Sequence, residues 1–271
     1  MRKVSCVLLV LVMLLGVLAF AACNEAETTN DDAANSSCTS VEFFTFELNN
    51  DSVYGNDSYM ITGAAKELPA DVVLPRSYNG LPITTIAQLA FINNTDIQSL
   101  KISDTIVAIG RSAFKGCTSL KAVEVASSVK FIMAETFRGC TSLESVTFNE
   151  GLECIMTNVF RDCSSLKSLA FPQSTILICG ANQYPISYIP DHNLVIFFLD
   201  IENSDRNGMI YASDIDDMTR DPDEGPDKGF SYGSIISGCS SLKSISLYAG
   251  TKVTTHSFYC AGNEPVVNVY E

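Results

Sequence analysis

Phenylalanine recurs every 23 residues through the middle of this chain, at Phe91, Phe114, Phe137 and Phe160. Cysteine keeps the same interval at Cys117, Cys140 and Cys163, and isoleucine at Ile109, Ile132, Ile155 and Ile178. The runs Lys115-Gly116-Cys117-Thr118-Ser119-Leu120, Arg138-Gly139-Cys140-Thr141-Ser142-Leu143 and Arg161-Asp162-Cys163-Ser164-Ser165-Leu166 repeat around them. A fixed period of this size means a solenoid. Each repeat is one coil that cannot bury its apolar side alone, so neighbours must stack on it.

Within a coil the apolar positions alternate. Leu120, Val123 and Val125 are matched by Leu143, Val146 and Phe148, by Leu166, Leu169 and Phe171, and by Leu242, Ile245 and Leu247. Alternation with β-branching predicts a short strand in every coil. A second apolar pair, Val129 and Ile132, then Leu152 and Ile155, predicts another short extended segment. A short turn or helix ending at the Phe is expected next, with Gly116 and Gly139 as helix stops, so each coil offers a strand, a second extended segment and a helical turn. The fold class that follows is mixed α/β and β-rich.

The run Ile106-Val107-Ala108-Ile109-Gly110-Arg111-Ser112-Ala113-Phe114-Lys115-Gly116-Cys117-Thr118-Ser119-Leu120 resembles the BspA-like leucine-rich repeat of bacterial surface proteins. Tyr59 to Gly63, Val72 to Pro75 and Gly80 to Ile86 resemble the opening of such arrays. The likeness covers 41–180 and 231–271. It departs at Asn94, where a Cys belongs, and at Ile236, where the last array Phe belongs. The resemblance implies a right-handed leucine-rich repeat solenoid. It also implies surface attachment through a protein or cell-surface ligand, host matrix included.

The array is interrupted. Ile178 and Ser231 hold equivalent places, so 181–230 is an insertion. Its apolar stretch Leu194 to Leu199, the turn signal Arg206-Asn207-Gly208, and Met209-Ile210-Tyr211 predict a β-hairpin. Leu199 to Asn203 through Gly208 to Tyr211 resembles a hairpin that recurs within BspA-like arrays. An acidic loop follows, with Asp214, Asp216, Asp217, Asp221, Asp223, Glu224 and Asp227. Insertions in repeat proteins often lie on the binding face, which makes Asp214, Asp216 and Asp217 partner-contact candidates. Asp221, Asp223 and Asp227 form a weak calcium candidate, since the spacing of an EF-hand loop is absent. A solvated acidic loop is the plainer reading.

Met1-Arg2-Lys3 and the apolar run Val4 to Ala22 read as an export signal over 1–22, with a permanent membrane anchor as the lesser alternative. Ala19-Phe20-Ala21 fits ordinary cleavage. Phe20-Ala21-Ala22-Cys23 resembles the bacterial lipobox, which would lipidate Cys23, and this second reading is favoured. Residues 23–40 have the composition of a tether. Residues 41–271 form one domain: 41–90 the N-terminal cap and first coil, 91–180 the repeats, 181–230 the insertion, 231–271 the last repeat and C-terminal cap. Val266 to Tyr270 reads as a closing strand over the last coil.

Of 17 basic residues, Arg2 and Lys3 leave with the signal, so 15 stand against 31 acidic ones. That balance opposes nucleic acid and anionic membrane surfaces, so the membrane is met only through the lipid anchor. The repeated cysteines read as small buried apolar residues, because side chains stacked in parallel make poor disulfide geometry. His192 and His256 stand on separate segments, and no nucleophile, metal or phosphate-loop motif occurs. No cofactor and no catalysis are expected. The outward strand residues are small and weakly polar, and Glu124, Thr147, Asn149 and Tyr248 are the candidates for partner contact. The function expected is a non-catalytic adhesion module, with a structural envelope lipoprotein lacking a host ligand as the alternative.

Overall fold

The computed structural model describes residues 37–49, 57–178, 187–188, 195–196, 209–211, 234–254, 257–258, 260, 263 and 265–271. The strand of each coil forms where alternation predicts it. Asp71–Val73, Ser99–Lys101, Ala122–Val125 and Ser145–Phe148 make one parallel sheet. Ser168–Ala170, Ser244–Tyr248 and Val266–Tyr270 continue that face as a second parallel sheet. Its register crosses the interruption intact, with Leu169 opposite Ile245. Val123, Val125, Val146, Leu169, Ile245 and Leu247 point inward and are buried. Slipping any strand by one residue would turn this set to solvent, so the pattern fixes the register.

The second apolar pair of each coil builds the opposite wall. Ala108–Ile109, Phe131–Ile132, Cys154–Ile155, Leu177–Ile178 and Lys252–Thr254 pair in parallel, coil by coil. At the N-terminal end this wall runs on through Leu81–Ile86 and Ser58–Ala64 to Phe44–Asn49, an antiparallel edge. Met209–Tyr211 closes the other end, antiparallel to Lys252–Thr254.

The third side is where the mixed α/β expectation fails. Among the described residues the only helix is a three-residue 3-10 turn, Val41–Phe43. The solenoid is β throughout, in about six turns. The reason lies in where the backbone N–H groups go. Ser112, Phe114 and Gly116 donate to Ala134, Thr136 and Arg138 of the next coil, at 2.9, 2.9 and 2.7 Å. The intervening Ala113, Lys115 and Cys117 donate three residues back within their own turn. The same alternation recurs from Glu135 to Cys140. A helix needs every N–H along its own axis, and here half of them are spent between coils. Two left-handed residues per coil permit this, Ser112 and Gly116 in one, Glu135 and Gly139 in the next, Asn158 and Asp162 after that. Gly116 and Gly139 therefore turn the chain left-handed, as their identity predicts, without ending a helix.

Identical residues at one slot stack on each other. The rings of Phe91, Phe114, Phe137 and Phe160 lie 5.1, 5.6 and 5.9 Å apart and nearly parallel. Phe258 is a further fully buried ring, and Ile236 fills the Phe slot between. Each repeated thiol reaches back one coil. Cys117, Cys140, Cys163 and Cys239 donate to the carbonyls of Phe91, Phe114, Phe137 and Phe160 at 3.0 to 3.2 Å. These four cysteines are buried and unpaired by disulfide, as parallel stacking requires.

After Ile178 the described coil resumes at Ser234. Phe160 and Asp162 donate to Ile235 and Ser237 as Phe137 and Gly139 donate to Val159 and Arg161. The insertion departs from its expected hairpin. Ser187–Tyr188 pairs with Val195–Ile196, while Met209–Tyr211 crosses to Lys252–Thr254. The last strand of a parallel wall has a row of unpaired N–H and C=O groups, and satisfying that edge wins over the local turn signal. Ser231 and His256 lie outside the described residues.

Candidate functional site

Residues 37–40, assigned to the tether by composition, lie against the first strand of the strand face. Thr39 donates its N–H to the Val73 carbonyl at 2.8 Å, and Val73 donates to the Thr39 hydroxyl at 3.1 Å. This pseudo-strand walls a cleft of about 400 Å³ across the first coils. Arg76 and Asp104 form its upper wall, bonded through Nε at 2.7 Å and Nη2 at 3.2 Å in a fork-to-fork pair. Lys101 and Glu124 cross its floor at 2.8 Å. Ser103 and Asn149 complete it.

The side chains of these four charged residues are 42 to 58% exposed. Exposed ion pairs typically contribute about 0.2–1 kcal/mol, with the two-point Arg76–Asp104 geometry at the upper end. They are therefore cheap to open, and each can exchange its internal partner for a charge on a ligand. Opposite charges set side by side on a rigid sheet suit an extended peptide or a protein surface that carries both signs. Cys38 also lines the cleft. Burial raises its pKa, partly offset by the Arg76 charge, so the thiol stays protonated at neutral pH.

Two residues proposed from sequence, Glu124 and Asn149, fall in this cleft. Asn149 also donates its amide to the Val125 carbonyl at 3.1 Å. Thr147 is Glu124's neighbour in register and is exposed. Tyr248 stands at the far end of the face, its ring 6.1 Å from that of Tyr270. Asp214, Asp216, Asp217, Asp221, Asp223, Asp227 and Cys23 lie outside the described residues. Among the described residues no three His, Cys, Asp or Glu side chains gather as a metal site. Arg76, Asp104 and Cys38 escape sequence reading because they break the 23-residue rule. The first two strands are 28 residues apart, Asp71 opposite Ser99, and Arg76 and Asp104 share that offset.

A stacked β-wall with a polar cleft on its strand face defines a class of fold, the β-solenoid. Residues 82–183 match the family model for the BspA type leucine rich repeat region, in six copies. Residues 82–183 thus form a BspA-type leucine-rich repeat region. The crystal structure of a leucine-rich repeat protein from T. pallidum has the same fold, with a TM-score of 0.52 and 22% identity over 85% of each chain. A leucine-rich repeat protein from Bacteroides ovatus gives a TM-score of 0.49 and 20% identity, over 77% of this chain and 47% of that one. A leucine rich cell surface protein from Faecalibacterium prausnitzii gives 0.40 and 25%, over 53% and 39%. No curated protein matches the chain.

Proposed function

We propose that this is an exported, lipid-anchored surface protein that acts as a non-catalytic adhesion module, using the strand-face cleft to hold a protein partner. The observation that carries the reading is the pair of exposed, exchangeable ion pairs, Arg76–Asp104 and Lys101–Glu124, fixed in one cleft. The BspA-type repeat and the signal-like segment 1–22 support the surface location. The lipobox-like run ending at Cys23 supports the anchor. The acidic residues Asp214, Asp216 and Asp217 offer a second contact to the same partner.

The test is binding of the full chain to immobilised matrix proteins, mucin and host cells at low and physiological salt. Saturable binding that survives physiological salt is expected. It should weaken at least tenfold, about 1.4 kcal/mol, in the double variant Arg76→Ala with Glu124→Ala. Binding unchanged by that variant removes the cleft from the reading. Absence of binding to every surface removes adhesion and leaves a structural role in the envelope.

A further inference from the structure

The chain's net charge of −14 conceals a basic edge. The coils from 82 to 178 hold eight acidic and eight basic residues, so the acidity lies elsewhere in the chain. Within the array the charges are sorted by the repeat. Lys115, Arg138 and Arg161 occupy one slot in successive coils, and Lys121, Lys167 and Lys243 another, with Glu144 between the first two of that row. The stacking is direct. Gly116 donates to the Arg138 carbonyl, Gly139 to that of Arg161, and Lys243 to that of Lys167.

Both rows flank the hydroxyl-bearing corner of each coil, Thr118-Ser119, Thr141-Ser142, Ser164-Ser165 and Ser240-Ser241. Ser164 donates to the Thr141 carbonyl, so these corners stack too. With Arg111, seven cations here face three carboxylates among the described residues, Glu135, Glu144 and Asp162. A fourth, Asp96 at the first coil, is held by Leu68 and Asn94.

The carboxylates do not use up the cations. Glu135 takes Lys115 at 2.6 Å, Arg138 at 3.2 Å and Arg111 at 3.4 Å, and Glu144 takes Lys167. Among the described residues the Lys121 ammonium bonds only the neutral amide of Gln98, at 2.9 Å. Lys243 makes no ion pair among the described residues. Among the described residues the Arg161 Nε is a buried donor with no hydrogen bond, and the Asp162 carboxylate lies 3.6 Å from it. Lys121, Lys167 and Lys243 are exposed.

We propose that this edge binds a linear acidic polysaccharide lying along the solenoid axis, at a surface separate from the strand-face cleft. Coils stack at about 4.8 Å, so each cation row spans roughly 10–15 Å and repeats its charge at coil intervals. A polysaccharide bearing sulfate or carboxylate groups offers anions at repeating intervals and hydroxyls between them. The edge answers with cations in two rows and Ser/Thr hydroxyls between those rows.

The probes are heparin, for sulfate, and polygalacturonate, for carboxylate, titrated onto the full chain across a salt series. At least one is expected to bind, with affinity falling as salt rises. The triple variant Lys121→Gln, Arg161→Gln, Lys243→Gln should weaken binding at least tenfold and lower the salt slope by about two, as loss of released counterions requires. Lys130→Gln, on the opposite wall, should leave both unchanged, and matched far-UV dichroism excludes unfolding. Failure of both probes to bind near 0.15 M salt overturns the proposal. So does a triple variant that binds like the parent, or a stronger preference for anionic vesicles or DNA. Because the cleft variants leave this edge intact, failure of one reading does not touch the other.

Discussion

Replacing Phe137 by Ala removes the middle ring of the stack. Phe137 is fully buried, and its ring lies 5.6 Å from Phe114 and 5.9 Å from Phe160, with interplanar angles of 11° and 3°. Truncating a buried Phe to Ala costs about 3–5 kcal/mol through lost transfer energy and the cavity left behind. Two stacked partners each add about 0.5–1.5 kcal/mol beyond area burial, which places Phe137→Ala at the top of that range, near 5 kcal/mol. A domain is stable by only about 5–15 kcal/mol, so the central coil is expected to be marginal. Phe137→Leu keeps an apolar side chain and loses the rings, at a cost of about 1–2 kcal/mol. Ile236 fills the same slot fully buried, so an aliphatic residue fits there. Urea unfolding followed by far-UV dichroism measures both. Coils contact only their neighbours, so a lower m-value for Phe137→Ala would mark an array split at that coil. A loss below about 1 kcal/mol for Phe137→Ala would refute the reasoning. So would equal losses for the two variants, since the apolar volume that Leu retains would then contribute nothing.

Burial raises the pKa of Glu135, but hydrogen bonds and charge from Lys115 and then Arg138 outweigh it and hold the carboxyl below its ordinary 4.5. A depressed carboxylate stabilises the fold above its unfolded pKa and loses that contribution as pH falls through the folded value. Glu135→Gln should therefore cost about 1 kcal/mol at pH 7. The gap to wild type should close as pH drops below 4.5, read from urea midpoints of both proteins. The Cys117 hydrogen bond and burial push the Cys140 thiol well above 9.0, while burial pushes Cys163 well above it and Cys239 up to about 12. At pH 8 an aromatic disulfide reagent should leave these three unlabelled in peptide maps of the folded protein and modify all three in denaturant; equal labelling rates in both states would contradict the stacking. Gly151 sits at φ +134°, where an added Cβ would fall 1.8 Å from the Ser127 carbonyl oxygen, so Gly151→Ala should cost several kcal/mol, roughly 3 or more. Gly139→Asn should cost less than about 1 kcal/mol, because Asn93 and Asp162 already hold its left-handed slot. The two thermal midpoints settle the order.

The walls were legible in the sequence because inward strand residues and stacked rings obey one period. Leu120, Val123 and Val125 announce a strand, and their 23-residue copies announce its neighbours. The third side was misread because helix and turn share short apolar spacing, and only the destination of the N–H groups separates them. One signal was present. Asn93, Asp162, Gly116 and Gly139 share a slot, and residues that tolerate left-handed backbone in every coil mark a recurrent turn. The cleft was half legible. Glu124 and Asn149 follow from outward alternation, whereas Arg76 and Asp104 belong to a first interval of 28 residues that the repeat does not describe.

That first interval bears on function. A ligand cleft made of exposed ion pairs is useful only if the backbone beneath it holds still, since the pairs themselves supply little order. Here the hydrogen bonds between coils run on every side. Parallel strands link one wall and the other, and alternate N–H groups of the turns link the third side. Lys101 and Glu124 sit on adjacent strands in direct register, so their separation is set by the sheet. Arg76 and Asp104 sit just past the strands paired as Asp71 to Ser99, and inherit the same spacing. The 28-residue interval between the first two strands thus lies where the scaffold has its concave, mixed-charge surface. The regular coils beyond it, locked in period, keep their cations in rows where the third side meets the strand face.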